Sequence, residues 1–295
     1  MIVRLYRKYV PYKLRKKIYH IFLKKIFKIY RYFCAWTAGK FVHTFSVFFP
    51  KNEYYDAYRF SGKHGISPYP FEASIKYKNI PIEVFRDTDT TLPYLLHHGK
   101  RLYYPRHVTD QYVQNSYRAL LIEQDIESAH RYVASYDELK GKTLLDVGAA
   151  EGIFTLDVIE YVEKAYLFEC EDSWMESLTA TFAPWKDKVE IVQQYVTDHD
   201  DEISVTLDRF MQKKEHDHLH IKMDIEGAEQ LALKGAKMLF SNGQFISVSI
   251  CTYHNKEDAK AISTFFESLG YSCTFTKGYF MVFPHLRKAV CRGKN

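Results

Sequence analysis

Beyond Lys142 the chain alternates short apolar runs with helical patterns, and this alternation leaves few folds open. Strands joined through helices run parallel and are covered on both faces, so they appear as nearly continuous apolar runs. The predicted strands are 143–147, 164–168, 189–193, 218–223 and 245–251. A last pair, 271–276 and 279–283, is separated only by Lys277 and Gly278, too little for a crossover helix. These two are expected to run antiparallel. The fold class is therefore α/β, a doubly wound sheet that is mostly parallel and ends in a C-terminal antiparallel hairpin.

A chain of 295 residues that is 46% hydrophobic suffices for one substantial domain with appendages. Its net charge of +5 hides an asymmetry: residues 1–51 hold thirteen Lys or Arg and no acid, leaving 28 basic against 36 acidic residues in the rest. Positive charge confined to one end points to a localised anionic partner, such as a membrane surface. Leu14, Ile18, Ile21, Phe22, Ile26, Ile29 and Phe33 share one helical face, and Lys13, Lys17, Lys24, Lys28 and Arg31 cluster opposite, although Arg15 and Lys25 intrude on the apolar side. No window approaches the roughly 20 uncharged apolar residues that a bilayer crossing needs, so an interfacial helix is expected. A basic helix packed on the acidic body, or a nucleic-acid arm, would carry the same pattern. The expected organisation is a membrane-associating segment over 1–50, a substrate-side accessory region over 51–140 and a cofactor-binding domain over 141–295. Five scattered cysteines without a CxxC pair suit a reducing compartment. The expected location is cytoplasmic, peripheral on the membrane face.

The first strand of the alternating half ends in Asp146, Val147, Gly148, Ala149, Ala150, Glu151 and Gly152, and a helical pattern follows at once. Glycines at such a strand-to-helix turn let the backbone approach a ligand closely. Glu169 closes the second strand, where an acid can accept hydrogen bonds from the ribose hydroxyls of an adenosine cofactor. The turn lacks the G-x-G-x-x-G spacing of a pyrophosphate site, and Asp146 would repel a phosphate. A cofactor with a positive sulfonium and an amino group suits that carboxylate better. Tyr195, Val196 and Asp198, after the third strand, are expected near the adenine or in ordinary strand-end packing.

The run from Lys222 through Asp224, Ile225, Glu226, Gly227 and Ala228 to Glu229 resembles the signature of the FkbM methyltransferase family. The similarity extends through 206–210, Gly235, Ala236 and the strand end Cys251, Thr252, Tyr253, His254. A branch of that family also resembles this chain at 99–105 and in Tyr117, Arg118, Leu121, Glu123, Gln124, Asp125, Ser128, His130, Arg131 and Tyr132, with Ala129 standing where that branch has proline. The resemblance implies a class I, Rossmann-like domain and methyl transfer from S-adenosylmethionine to a hydroxyl, often of a sugar. Bacterial members commonly lie among polysaccharide or glycolipid genes, so the implied acceptor is a glycan or glycolipid.

A sugar hydroxyl is a poor nucleophile while protonated, so a base or a metal is expected beside it. Asp224 ends the fourth strand and His254 follows the fifth, and neighbouring strands of a doubly wound sheet open into one crevice. His254 is the expected base, with Asp224 and Glu226 orienting it or the substrate. A variant has Asp224, Glu226 and His254 ligating one divalent ion; the metal-free version is the reading taken, because this donor set suits magnesium or manganese only moderately. Asp224 and Glu226 could instead cap the helix starting near Gly227. Gln124, Asp125, His130 and Lys222 are candidates for the acceptor side, with Lys222 alternatively paired to an acid.

A nucleic-acid methyltransferase is the first rival, but the fourth strand does not end in the Asp/Asn-Pro-Pro-aromatic turn used on flipped bases, and the acidic body opposes a phosphate track. No nucleic acid is therefore expected as a partner. A nicotinamide-dependent dehydrogenase shares the glycine turn. A membrane adaptor without catalysis is the third alternative.

Overall fold

The computed structural model describes residues 53–214, 218–283 and 285–295, with Phe33, Thr37 and Lys40. The membrane-associating segment expected over 1–50 lies, but for those three residues, outside the described residues. Among the described residues no helix is long and apolar enough to cross a membrane.

The chain divides into two compact units, Met1–Pro70 and Phe71–Asn295. In the first, helix α1 (Tyr55–His64) stops at Gly65, whose φ of 88° turns its amide onto the Ser61 carbonyl. The second opens with β1 (Phe85–Arg86), β2 (Pro93–His97) and β3 (Lys100–Tyr103), an antiparallel sheet whose β2–β3 turn at His98 and Gly99 has positive φ at both residues. Helix α2 (Asp110–Glu123) starts on Thr109, whose hydroxyl accepts the Tyr112 amide.

The alternating half follows as β4 (Thr143–Val147), α3 (Ile153–Val158), β5 (Lys164–Phe168), α4 (Asp172–Phe182) and β6 (Val189–Val192). The short β7 (Tyr195–Val196) and β8 (Ser204–Val205) precede α5 (Leu207–Met211), β9 (His218–Met223), α6 (Glu229–Lys234), α7 (Lys237–Ser241) and β10 (Phe245–Cys251). The chain continues through α8 (Asp258–Ser268), β11 (Ser272–Phe275), β12 (Phe280–Val282), β13 (His285–Arg287) and β14 (Val290–Lys294).

Among the described residues the main sheet has the order β11-β14-β10-β9-β4-β5-β6. Strands β4, β5, β6, β9 and β10 pair in parallel, as their apolar runs predict, and β14 is antiparallel to both its neighbours. The strand order reverses between β4 and β9, which opens a crevice at their carboxyl ends. Alternation along β4 sends Leu144 to one face and Leu145 to the other. Both faces are sealed by apolar side chains, each contributing roughly 1.5–3 kcal/mol when fully buried.

One expectation needs correction. The antiparallel closure is present, but β11 pairs with β14 and not with β12, which forms a separate ribbon with β13. Val290 and Cys291 fill the space beside β10, while the Thr276 amide donates to Val290 and its hydroxyl to the Ala129 carbonyl, turning the chain off the sheet. Leu95, Leu102, Tyr104, Val113 and Tyr117 share one cluster with Leu144 and Phe154. Residues 71–140 are part of the body that carries the sheet.

Candidate active site

The turn after β4 is built from backbone that ordinary residues rarely adopt: φ is 82° at Gly148, 47° at Ala150 and 80° at Gly152. A Cβ on Gly152 would meet the Phe182 ring at 2.6 Å, and one on Gly148 would strike the backbone of Asp224. The turn thus lies directly against the end of β9. Glu169, just past β5, accepts hydrogen bonds from the amides of Ala150 (2.9 Å) and Glu171 (2.8 Å). Ala149 and Glu151 are buried in the same turn. Burial pushes the Glu151 carboxyl up to about 8, with Glu123 and Asp146 adding to the rise.

Asp146 does not face the crevice as a bare charge. It is the register partner of Lys222 across the β4–β9 ladder, so the two side chains emerge on one face and pair at 2.8 Å, while Thr155 donates to the other oxygen at 2.7 Å. Lys222 also donates to the Gly148 carbonyl at 2.5 Å. Both residues are therefore internal supports of the turn, with Lys222 paired to an acid as its alternative reading had it. Val196 is buried in one core cluster with Phe168, and Asp198 lies 3.2 Å from His199 on an exposed loop. No described hydrogen bond joins either to the glycine turn.

Asp224 stands between two imidazoles. One carboxylate oxygen, Oδ2, accepts from the Tyr132 hydroxyl at 3.1 Å and lies 3.5 Å from His130 Nε2. The other, Oδ1, accepts from the Tyr253 hydroxyl at 3.2 Å and lies 3.4 Å from His254 Nε2. Behind each imidazole is a glutamate: Glu123 is 3.3 Å from His130 Nδ1, and Glu229 is 3.0 Å from His254 Nδ1. The row therefore runs Glu123, His130, Asp224, His254, Glu229, with the His130 side chain 1% and the His254 side chain 10% exposed. Of the two imidazoles His254 is the more exposed, and the Glu123 and Asp224 side chains are also partly exposed.

The charges in this row settle one another. Burial opposes a charge on His254, but Glu229, Asp224 and Glu226 outweigh it and raise its pKa above the ordinary imidazole value. Burial likewise opposes a charge on His130, and Glu123 and Asp224 prevail. Asp224 is held well below the usual carboxylate range despite its burial, chiefly by His130, with help from Lys222 and His254.

Other predicted residues fall at the edges or outside. The Glu226 side chain is 94% exposed, with Oε2 3.6 Å from His254 Nε2. Neither it nor Asp224 caps α6, which begins after Ala228 without a side-chain cap. The donor atoms of Asp224, Glu229 and His254 lie within 4.8 Å of one another, so the cluster that could hold a cation contains Glu229 where Glu226 was expected. Asp125 accepts from the Tyr77 hydroxyl (2.5 Å) and Lys76 (2.6 Å), and Gln124 accepts from the Tyr132 amide (3.4 Å). These two brace the loop that carries His130. His130 itself is central, 3.0 Å from the Tyr253 hydroxyl.

Sequence reasoning gave no individual role to Glu123, Tyr132, Glu229 or Tyr253, although all four lie in the motifs that carry the family resemblance. It also passed over Phe280, whose ring stacks on Tyr253 at 4.0 Å, and Arg287, which donates to the carbonyls of Tyr253 and His254. Nothing in a lone Phe or Arg near the end of the sequence signals this.

Residues 50–273 match the family model of the methyltransferase FkbM domain. The chain belongs to the FkbM methyltransferase family. No curated protein matches it. Among solved structures it is similar to the methyltransferase FkbM of Methylobacillus flagellatus KT (19% identity, 64% of this chain, 56% of that one, TM-score 0.43). It is also similar to magnesium protoporphyrin IX methyltransferase of Synechocystis PCC 6803, solved with bound S-adenosylmethionine (14% identity, 64% and 86%, TM-score 0.42). A third is the fibrillarin pre-rRNA processing protein of Methanococcus jannaschii (12% identity, 73% and 97%, TM-score 0.41). The FkbM-family chain thus spans 56% of the length of its Methylobacillus relative.

S-adenosylmethionine is the cofactor of the family, and the residues present fit it. Gly148 and Gly152 let the turn pack close against Asp224 and Phe182 at the carboxyl end of the sheet, and the Glu169 carboxylate stands just past β5, where it would hold ribose hydroxyls. The sheet, parallel from β6 to β10 and closed by antiparallel β14, has the class I methyltransferase architecture.

Proposed function

We propose that this FkbM-family chain is an O-methyltransferase acting on a hydroxyl of a sugar in a surface polysaccharide or glycolipid. When bound, S-adenosylmethionine supplies a methyl group made electrophilic by its sulfonium. His254 Nε2 removes the acceptor's proton, and the Asp224 carboxylate steadies the imidazolium that results. Lys222 and Asp146 hold the glycine turn against β9, which keeps base and donor side in one crevice. No metal enters this scheme.

One observation carries the reading: a histidine with a carboxylate at each ring nitrogen stands at the carboxyl end of the sheet, beside Asp224 and the glycine turn. A hydroxyl acceptor requires such a base. The sugar rests on the family resemblance, and the basic, acid-free residues 1–51 support work at the cytoplasmic membrane face, where a lipid-linked glycan would be met. Calorimetry of the purified chain with S-adenosylmethionine tests the donor, and its silence would end the proposal. Mass spectrometry of surface glycans from cells with and without the gene tests the acceptor, a missing methyl group on a sugar being the expected difference.

A further inference from the structure

Glu229 is completely buried, and a buried carboxylate is costly unless it is hydrogen-bonded or paired. A single oxygen, Oε1, accepts from the amides of Ile225 (3.0 Å) and Gly227 (3.4 Å) and lies 3.0 Å from Nδ1 of His254. The other oxygen is buried without a hydrogen-bond partner, as are both ring nitrogens of His254, so Nδ1 faces Oε1 at ion-pair distance. The two amides belong to the turn between β9 and α6, where φ is 54° at Glu226 and 100° at Gly227. One side chain therefore joins the turn that bears Asp224 and Glu226 to the histidine that follows β10.

We propose that Glu229 is the positioning residue of this site, holding His254 with its proton on Nδ1 and Nε2 turned toward Asp224 and the mouth of the crevice. The proposal rests on the reading of His254 as the base. A role in bracing the turn would need only the two amides; the third partner is what a catalytic imidazole needs, because a carboxylate behind one ring nitrogen fixes which tautomer the other presents. The groups that face His254 are Asp224 from β9, Glu226 from the turn, Glu229 from α6, and Arg287 from β13, which reaches only its carbonyl. Of the three acids, Glu229 alone is at Nδ1. Glu123 holds the same place behind His130 and serves as an internal comparison.

Long-range proton–nitrogen NMR of the full chain, labelled at histidine and treated with chelator, reads the tautomer without any acceptor. At a pH where the ring is neutral, His254 is expected as the Nδ1–H form with a low-field proton. Glu229→Gln, whose amide oxygen can still accept from the turn but carries no charge, should move that proton upfield and let the Nε2–H tautomer appear while leaving His130 unchanged. Unchanged His254 signals in a folded Glu229→Gln protein would reduce Glu229 to a turn brace. If that variant does not fold, the wild-type spectrum still decides, since an Nε2–H tautomer there overturns the proposal. Loss of S-adenosylmethionine binding or of any effect of His254→Ala would strike the proposed function instead, and leave the tautomer result standing.

Discussion

A Cβ at position 148 would stand 1.9 Å from the carbonyl oxygen of Asp224, so Gly148 and Asp224 meet backbone to backbone across the crevice. The glycine turn and the end of β9 are one mechanical unit. Gly148→Ala is therefore expected to cost more than Gly99→Ala, where φ is similar but nothing lies within 4 Å. The strain alone is worth about 1 kcal/mol, and the clash adds to it only at position 148. Urea melts of the two variants, with calorimetry of donor binding, compare them; equal losses would mean that the contact does not matter.

His254→Ala should lower turnover by about 10²–10⁴-fold while donor affinity holds, the usual contribution of a general base. A base works only when neutral, and the carboxylates around His254 raise its pKa above 6.5. The rate should therefore climb with pH through a limb on the alkaline side of ordinary imidazole and then level off. Glu229→Gln removes one of the groups that raise the pKa, so it should move the limb to lower pH. It should also reduce turnover about 10–100-fold, as outer-shell changes commonly do. A glycolipid extract from the producing cells would serve as acceptor, and a limb that stays in place would contradict the assignment.

Glu151 gives the fold a pH dependence of its own. Its carboxyl titrates near 4.5 in an unfolded chain and at about 8 in the buried turn, so the folded state binds the proton more tightly. The stability this confers is complete below 4.5 and is lost progressively as pH rises to about 8, a change on the order of a few kcal/mol. Glu151→Gln should flatten the curve. Denaturant midpoints measured between those limits check it.

Lys222→Met would leave Asp146 buried without its partner, which typically costs about 3–5 kcal/mol. Adding Asp146→Asn should recover part of that loss. A double variant no more stable than the single one would show that the ion pair is not what Lys222 supplies.

Chelator treatment is expected to leave turnover and melting temperature unchanged, since the base at His254 needs no ion. Recovery of lost activity by added manganese or magnesium would favour the cation reading of Asp224, Glu229 and His254 instead.

The parallel strands were legible because each buries both faces and so cannot hide its apolar run. Strand β14 was not, because Arg292, Gly293 and Lys294 make it look like a polar tail; Arg292 in fact reaches the Arg131 carbonyl, and Gly293 leaves room for Val248. Lys277 and Gly278 mimic a two-residue hairpin turn, and only the pull of Thr276 toward Ala129 and Val290 reveals another path. Asp224 and His254 could be found from strand ends alone. Glu229 could not, since an acid in a first helical turn has an ordinary explanation, and the partner that gives it meaning is 25 residues away. Asp146 misled for the opposite reason: its neutralising lysine is adjacent only across the ladder.

Strand β14 is synthesised after β11 yet lies between β11 and β10. During translation the outer edge of β10 is therefore bare until residues 290–294 emerge, and β11 has no place to dock before they do. Such an open edge invites pairing with other chains, so nascent or C-terminally clipped forms should aggregate readily. The same edge carries Cys251, whose successors Tyr253 and His254 complete the crevice, so assembly of the row from Glu123 to Glu229 should be among the last events of folding.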